Sequence, residues 1–184
     1  MRVISGSAKG RRLKSVPGTS TRPITDRVKV ALFDILAPYV GECLFLDLFA
    51  GTGGVGIEAL SRGARRAVFV DIDPQSVQTI RENLATTRLD DRASVIRSDS
   101  FHYLDRAEHE SFDMIYIAPP QYKEMWSRAL QAIDRHADWL APDGIAVVQI
   151  DPKETRDIPV NHLQEFDRRQ YGSTLLWFFE KPGD

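Results

Sequence analysis

Ten residues, Asp47-Leu-Phe-Ala-Gly-Thr-Gly-Gly-Val-Gly56, carry the densest chemical signal in this 184-residue chain. The apolar run Cys43-Leu-Phe-Leu46 leads into them and Ile57-Glu-Ala-Leu60 follows, which reads as buried strand, glycine turn and helix start. Gly51, Gly53 and Gly56 allow tight or positive-φ backbone, so a ligand can approach main-chain N–H groups near a helix N-terminus. Phe49 and Thr52 lie in the same turn. The spacing suits a nucleotide-type ligand, and by itself it fits a dinucleotide equally well.

Three further places could do chemistry with such a ligand. Asp71 stands 20 residues beyond Gly51, the separation at which a carboxylate accepts hydrogen bonds from ribose hydroxyls. Asp99 and Ser100 end a third apolar segment, where Asp99 can accept from an exocyclic amine of an adenine or cap the following turn. Ala118-Pro-Pro-Gln-Tyr122 ends a fourth. Pro119 cannot donate to a sheet ladder, and Pro119 and Pro120 together hold the chain extended and leave carbonyls free as acceptors. Tyr122 offers a flat face on which a base can stack. Methyl transfer to a base amine needs such an arrangement, because acceptors must orient the amine and its plane must be held beneath an electrophilic methyl group. A hydride-transferring dehydrogenase explains the glycines and Asp71 but has no evident need for the Pro-Pro end.

The elements that must position these residues follow from periodicity. Strands are expected at 43–48, 66–71, 93–97, 112–117 and 144–150, with helices at 54–62, 74–86 and 123–138 and a short turn or helix near 100–107. That alternation predicts an α/β fold: a doubly wound, mostly parallel sheet with helices on both faces. Residues 166–171 and 173–180, joined around Gly172, predict a terminal antiparallel hairpin. Upstream, Thr25 caps an expected helix over 25–40 that Pro38 and Gly41 stop. Residues 1–24 read as an N-terminal β-hairpin arm and 25–184 as the main domain.

Charge separates the two parts. Residues 1–30 carry eight basic side chains against one acidic, Asp26, while the remainder carries 16 basic and 25 acidic. A basic arm on an acidic body implies a polyanionic partner met mainly by the arm, through Arg11, Arg12, Lys14, Arg22, Arg27 and Lys29. Composition is otherwise ordinary, at 42% hydrophobic and 27% charged residues. No apolar run approaches the roughly 20 residues that span a bilayer, and the start lacks the apolar core of a signal peptide, so a cytoplasmic protein with no membrane partner is expected. Cys43 is the single cysteine, which excludes an intrachain disulfide. His102, His109, His136 and His162 show no ligand spacing, and no metal site is expected.

Together these motifs resemble S-adenosylmethionine-dependent amino-methyltransferases of the Rossmann-like class. Arg2-Val-Ile-Ser-Gly, Lys9-Gly-Arg11 and Arg22-Pro-Ile-Thr-Asp-Arg-Val-Lys29, followed by Ala31-Leu-Phe-Asp-Ile-Leu36, resemble one branch, the RsmD-type methyltransferases of small-subunit ribosomal RNA. The resemblance runs from residue 2 to about 180. It implies S-adenosyl-L-methionine as cofactor, with the methionine and ribose portion lined by Asp47, Gly51, Gly53 and Gly56. It further implies that Asp71 binds the ribose hydroxyls, Ile72 packs on the adenine and Asp99 contacts its amine. The implied reaction is methylation of the exocyclic amine of a guanine in small-subunit ribosomal RNA, free or in an assembling subunit; a monomer is expected. One departure bears on the chemistry. The family's motif reads Asp or Asn, Pro, Pro, aromatic, whereas this chain has Ala118-Pro119-Pro120-Gln121-Tyr122 and so lacks a side-chain acceptor at 118. A module that binds cofactor and RNA for ribosome assembly, with little catalysis, is the alternative that departure raises.

Overall fold

The computed structural model describes residues 1–18 and 23–183. Its centre is a seven-stranded sheet in the order β3-β2-β1-β4-β5-β7-β6. The strands are β1 (Leu44–Asp47), β2 (Arg66–Asp71), β3 (Ala93–Arg97), β4 (Phe112–Ile117), β5 (Leu140–Ile150), β6 (Gln164–Tyr171) and β7 (Thr174–Glu180). β1 to β5 pair in parallel, and β7 pairs antiparallel with both β5 and β6, as the period-two pattern and the missing crossover helix require.

β1 lies at the middle of the five parallel strands and is buried throughout, because helices cover both of its faces. Alternation sends Phe45 and Asp47 of β1, with Met114 and Tyr116 of β4, to one face. There they meet α1 (Asp26–Val40), α2 (Gly54–Ser61) and α3 (Pro74–Thr87). Leu44 and Leu46, with Ile115 and Ile117, point to the other face. They pack with Trp126 and Leu130 of α5 (Met125–Arg135) and Tyr103 of α4 (Ser100–Leu104).

Local signals place the helix ends. Thr25 caps α1 through a bond from Val28 N–H, and Asp73 caps α3 by accepting from Gln75 and Ser76 N–H, with Pro74 in the first turn. α2 has no side-chain cap. It starts from Gly53, whose φ of +78° a residue with a β-carbon reaches only under strain. Gly56 serves packing: a β-carbon there would lie 2.4 Å from the Phe69 ring of β2.

Several expected boundaries differ. Pro38 sits inside α1, whose last turn continues to the buried Val40. The helix expected over 123–138 starts at Met125, because Tyr122 and Glu124 take φ of +60° and +54°, and it ends at Arg135. The N-terminal segment pairs its two legs as a short antiparallel hairpin: Arg2 bridges Arg12, Val3 N–H donates to Arg11 O at 2.9 Å and Leu13 N–H to Met1 O at 3.0 Å. Its turn is further fixed by bonds to α2: Ser7 N–H donates to Ser61 O at 2.8 Å and Ala8 N–H to Ser61 Oγ at 2.9 Å. Val3, Ala8 and Leu13 are thereby buried in the same core as α1 and α2.

Candidate functional site

The carboxyl end of β1 and the turn after it form the floor of the site. Asp47 is buried, and its Oδ2 accepts from Gly56 N–H at 3.1 Å, tying the strand end to the first turn of α2. Burial pushes its carboxyl up to about 8, only partly offset by that bond. Asp71, at the end of β2, accepts from Gly51 N–H at 2.8 Å and from Asp73 N–H at 2.9 Å. Its pKa is raised by burial, and the two N–H bonds oppose the rise. The carboxylate expected at ribose-binding distance from the glycine turn thus contacts the turn itself. Gly51 takes φ of +57° and has open space where a β-carbon would stand, so its backbone is accessible from that side. Thr52 Oγ1 accepts from Gly54 N–H at 3.2 Å and keeps the turn closed.

Beside this turn, Ile72 leaves 62% of its surface exposed at the end of β2, an apolar face without an internal partner. Asp99 caps α4, with Oδ1 accepting from both Phe101 and His102 N–H at 2.9 and 3.0 Å. Ser100 Oγ donates to the Leu48 carbonyl at 2.6 Å, which draws α4 against the β1 end. Phe49 meets Phe101 edge to face at 6.2 Å between ring centroids. These residues bring an accessible glycine backbone, a carboxylate at each of two strand ends and an apolar surface to one edge of the sheet. That set fits a ribonucleoside: hydroxyl acceptors, a flat apolar contact and an acceptor for an amine.

The Pro-Pro segment follows β4, the strand next to β1. Leu48 N–H donates to Tyr116 O at 3.1 Å and Asp47 stands in register with Tyr116, so both strand ends open at the same edge. Ala118 is half-buried against the core, Pro119 is buried, and Pro120 and Gln121 are exposed. Tyr122, 63% exposed, is held by two carboxylates that sequence reading did not single out. Its N–H donates to Glu154 Oε1 at 2.7 Å and its hydroxyl to Asp151 Oδ2 at 2.8 Å. The Asp151 bond raises the phenol's pKa and keeps the proton in place. Asp151 and Glu154 form a reciprocal capping box after β5, which the Asp-Pro-Lys-Glu sequence signals.

Of the basic residues expected to meet a polyanion, Arg11, Arg12, Lys14 and Arg27 are exposed. Arg11 donates to the Thr86 carbonyl at 3.0 Å and Lys14 pairs with Glu82 at 2.8 Å. Arg22 lies outside the described residues. Lys29 must be removed from this surface set. It is fully buried, its ammonium 3.4 Å from Glu58 and donating to the Arg2 carbonyl at 2.6 Å. Glu58 also accepts from Ile4 and Ser5 N–H at 2.9 and 3.1 Å and from Arg62 at 2.9 Å. This buried pair fastens the arm and has no access to phosphate. A helical spacing signals it, since Lys29, Phe33, Leu36 and Val40 share the buried stripe of α1.

The strand order, the glycine turn at the central strand's end and the antiparallel terminal hairpin define a class I methyltransferase fold. Within that class the chain belongs to the family described as Conserved hypothetical protein 95, whose model matches residues 1–180. It is 43% identical to YlbH of Bacillus subtilis, named as a candidate rRNA methyltransferase, over 100% of both chains. It is 31% identical to ribosomal RNA small subunit methyltransferase D of Haemophilus influenzae, over 88% of this chain and 84% of the relative. Among solved structures, yhhF of Escherichia coli, named as a candidate methyltransferase, superposes with a TM-score of 0.89 at 27% identity, covering 100% of this chain and 99% of that one. An RNA methyltransferase from Salinibacter ruber, solved with S-adenosyl-L-homocysteine, shares the fold at a TM-score of 0.67 and 17% identity, covering 89% and 95%.

Proposed function

We propose that the protein is an S-adenosylmethionine-dependent methyltransferase acting on the exocyclic amine of a guanine in small-subunit ribosomal RNA. The observation that carries this reading is the shared edge of β1 and β4. The nucleoside cleft of Gly51, Asp71 and Ile72 opens beside the Pro119-Pro120 platform, with Asp47 and Tyr116 in register between them. The names of the relatives support ribosomal RNA as the substrate class. Among the described residues no helix is long and apolar enough to cross a membrane. The chain acts in the cytoplasm as a monomer, on free RNA or on an assembling small subunit.

When bound, S-adenosylmethionine supplies an electrophilic methyl group on a sulfonium. The protein's own residues bind and orient. Asp71 offers its carboxylate to the ribose hydroxyls, Ile72 packs on the adenine and Asp99 accepts from the adenine amine. The backbone of the glycine turn, held from beneath by the buried Asp47, lines the methionine and ribose portion. On the other side, carbonyls around Pro119 and Pro120 hold the target amine, Gln121 lies beside them, and the Tyr122 ring supports the base. Arg11, Arg12, Lys14 and Arg27, with Arg22, meet phosphates, and the target base is unstacked or already in a loop. Rate enhancement comes from orientation and exclusion of water, with no covalent enzyme intermediate.

Ala118 favours one second reading, an RNA-binding assembly module with little turnover. Purified protein mixed with isotopically labelled S-adenosylmethionine and small ribosomal subunits lacking the modification separates the two. Label in the RNA is the expected result. None at saturating cofactor would overturn the enzyme reading.

A further inference from the structure

The run Ile145-Ala-Val-Val-Gln-Ile150 of β5 carries one polar residue, Gln149, among five buried apolar ones. A polar side chain in a central parallel strand costs stability unless its groups are satisfied. Gln149 sits on the same face as Val147, towards α1 to α3. β4 and β5 pair in register as Tyr116 with Val147 and Ile117 with Val148, so one step further sets Ala118 beside Gln149. The Gln149 side chain reaches across to β4, where its Oε1 accepts from the Tyr116 hydroxyl. Tyr116 is itself buried and in register with Asp47, so a polar row runs from the floor of the cofactor turn to the lip at 118. Gln149 is only half-buried, which leaves that lip accessible to a substrate.

We infer that Gln149 supplies the side-chain acceptor that Ala118 lacks, its amide oxygen accepting a hydrogen from the target amine while the Tyr116 hydroxyl holds it in place. This rests on the methyltransferase reading above. A carbonyl oxygen has two acceptor positions, so the bond from Tyr116 leaves one for the substrate. The strand spacing of about 4.8 Å is short enough for a glutamine on β5 to serve a position above residue 118 on β4. The chemistry tolerates a neutral acceptor. A bond forms between the amine nitrogen and the methyl carbon as the sulfur–carbon bond breaks and sulfur keeps its electron pair. The amine proton then leaves to water, so Gln149 must orient the amine but need not take the proton. Burial drives the Tyr116 phenol well above its ordinary pKa, so its hydroxyl remains a donor at all working pH.

The test compares single-turnover methylation of unmodified small subunits by the unsubstituted protein, Gln149→Met, Gln149→Glu and Gln149→Met combined with Ala118→Asp. Affinity for S-adenosylmethionine and for the subunit is measured in parallel by titration. Gln149→Met keeps the chain length and loses the acceptor. Its rate at saturating subunit should fall about tenfold, the effect of one hydrogen bond, with both affinities retained. Gln149→Glu should keep more of the rate than Gln149→Met, and Ala118→Asp should recover most of what Gln149→Met loses. Tyr116→Phe is a second route if Gln149→Met does not fold, and it should cost about threefold in rate alone. An unchanged rate in the folded Gln149→Met protein, or in Tyr116→Phe where Gln149→Met does not fold, overturns the inference and leaves the methyltransferase reading standing. A loss shared equally by rate and both affinities overturns it too, since that marks a structural role. No label from the unsubstituted protein overturns the reading and this inference together.

Discussion

Asn83 holds the backbone of Lys14 at two points, its Oδ1 accepting from the Lys14 N–H at 2.7 Å and its Nδ2 donating to the Lys14 carbonyl at 3.1 Å. The same Nδ2 donates to the Thr52 carbonyl at 3.0 Å, so one buried amide ties the basic arm to the glycine turn. Asn83→Leu leaves an N–H and two carbonyls without these partners and should cost about 2–4 kcal/mol. It should also weaken S-adenosylmethionine binding, because the turn loses a support. Denaturant unfolding and calorimetric titration measure the two effects, and an unchanged unfolding midpoint would contradict the tie.

Lys29 and Arg12 should separate in their effects. Lys29→Ala strands Glu58 in the core without its lysine, which should destabilise the fold by about 3–5 kcal/mol. Where the variant remains folded, the slope of log RNA affinity against log salt should stay as it was. Arg12→Ala, at an exposed position, should barely affect stability and should reduce that slope by about one phosphate contact, roughly 0.7–0.9. A reduced slope from Lys29→Ala with stability intact would return Lys29 to the surface set.

The β1 strand end and the buried network were legible to different degrees. Asp47, Gly51, Gly53 and Asp71 could be placed from sequence because strand length and the offset of 20 residues fix them against a parallel sheet. Tyr122 could be placed near the mouth, but not its left-handed backbone or its bond to Asp151, since neither has a local sequence signal. Lys29 was misread because net charge outweighed its position in the apolar stripe of α1. Glu58 and Asn83 were missed because their partners in the arm, in α1 and in the glycine turn lie 29 to 69 residues away in the chain, where no periodicity points. The arm's hairpin was legible in the sequence, but the bonds from Ile4 and Ala8 N–H to α2 that anchor its turn were not.

Asp47 gives stability a pH dependence of defined sign. In the folded protein its carboxyl keeps a proton up to about 8, while the unfolded chain releases it near 3.8. Between those values the folded state holds more protons, so this contribution falls as pH rises from about 4 to about 8. Asp47→Asn should flatten that part of the profile. Unfolding free energies at pH 5 and pH 8 provide the comparison, and equal slopes for both proteins would contradict the buried, protonated carboxyl.

Tyr122 offers the substrate base its ring, and its hydroxyl serves to fix the ring on Asp151. Tyr122→Ala should therefore lower methyl transfer by at least about fivefold. Tyr122→Phe, which keeps the ring, should lose less. Single-turnover assays on small subunits measure both, and equal losses would show that stacking is not the ring's contribution.

The central claim is methyl transfer to a guanine amine in small-subunit ribosomal RNA, and nucleoside mass spectrometry tests it most directly. Small subunits lacking the modification are incubated with the protein and S-adenosylmethionine, and their RNA is digested to nucleosides. The account predicts one new guanosine carrying a methyl group on its exocyclic nitrogen. A methyl group on a ring nitrogen, on a ribose or on another base, or no methyl group at all, would contradict it.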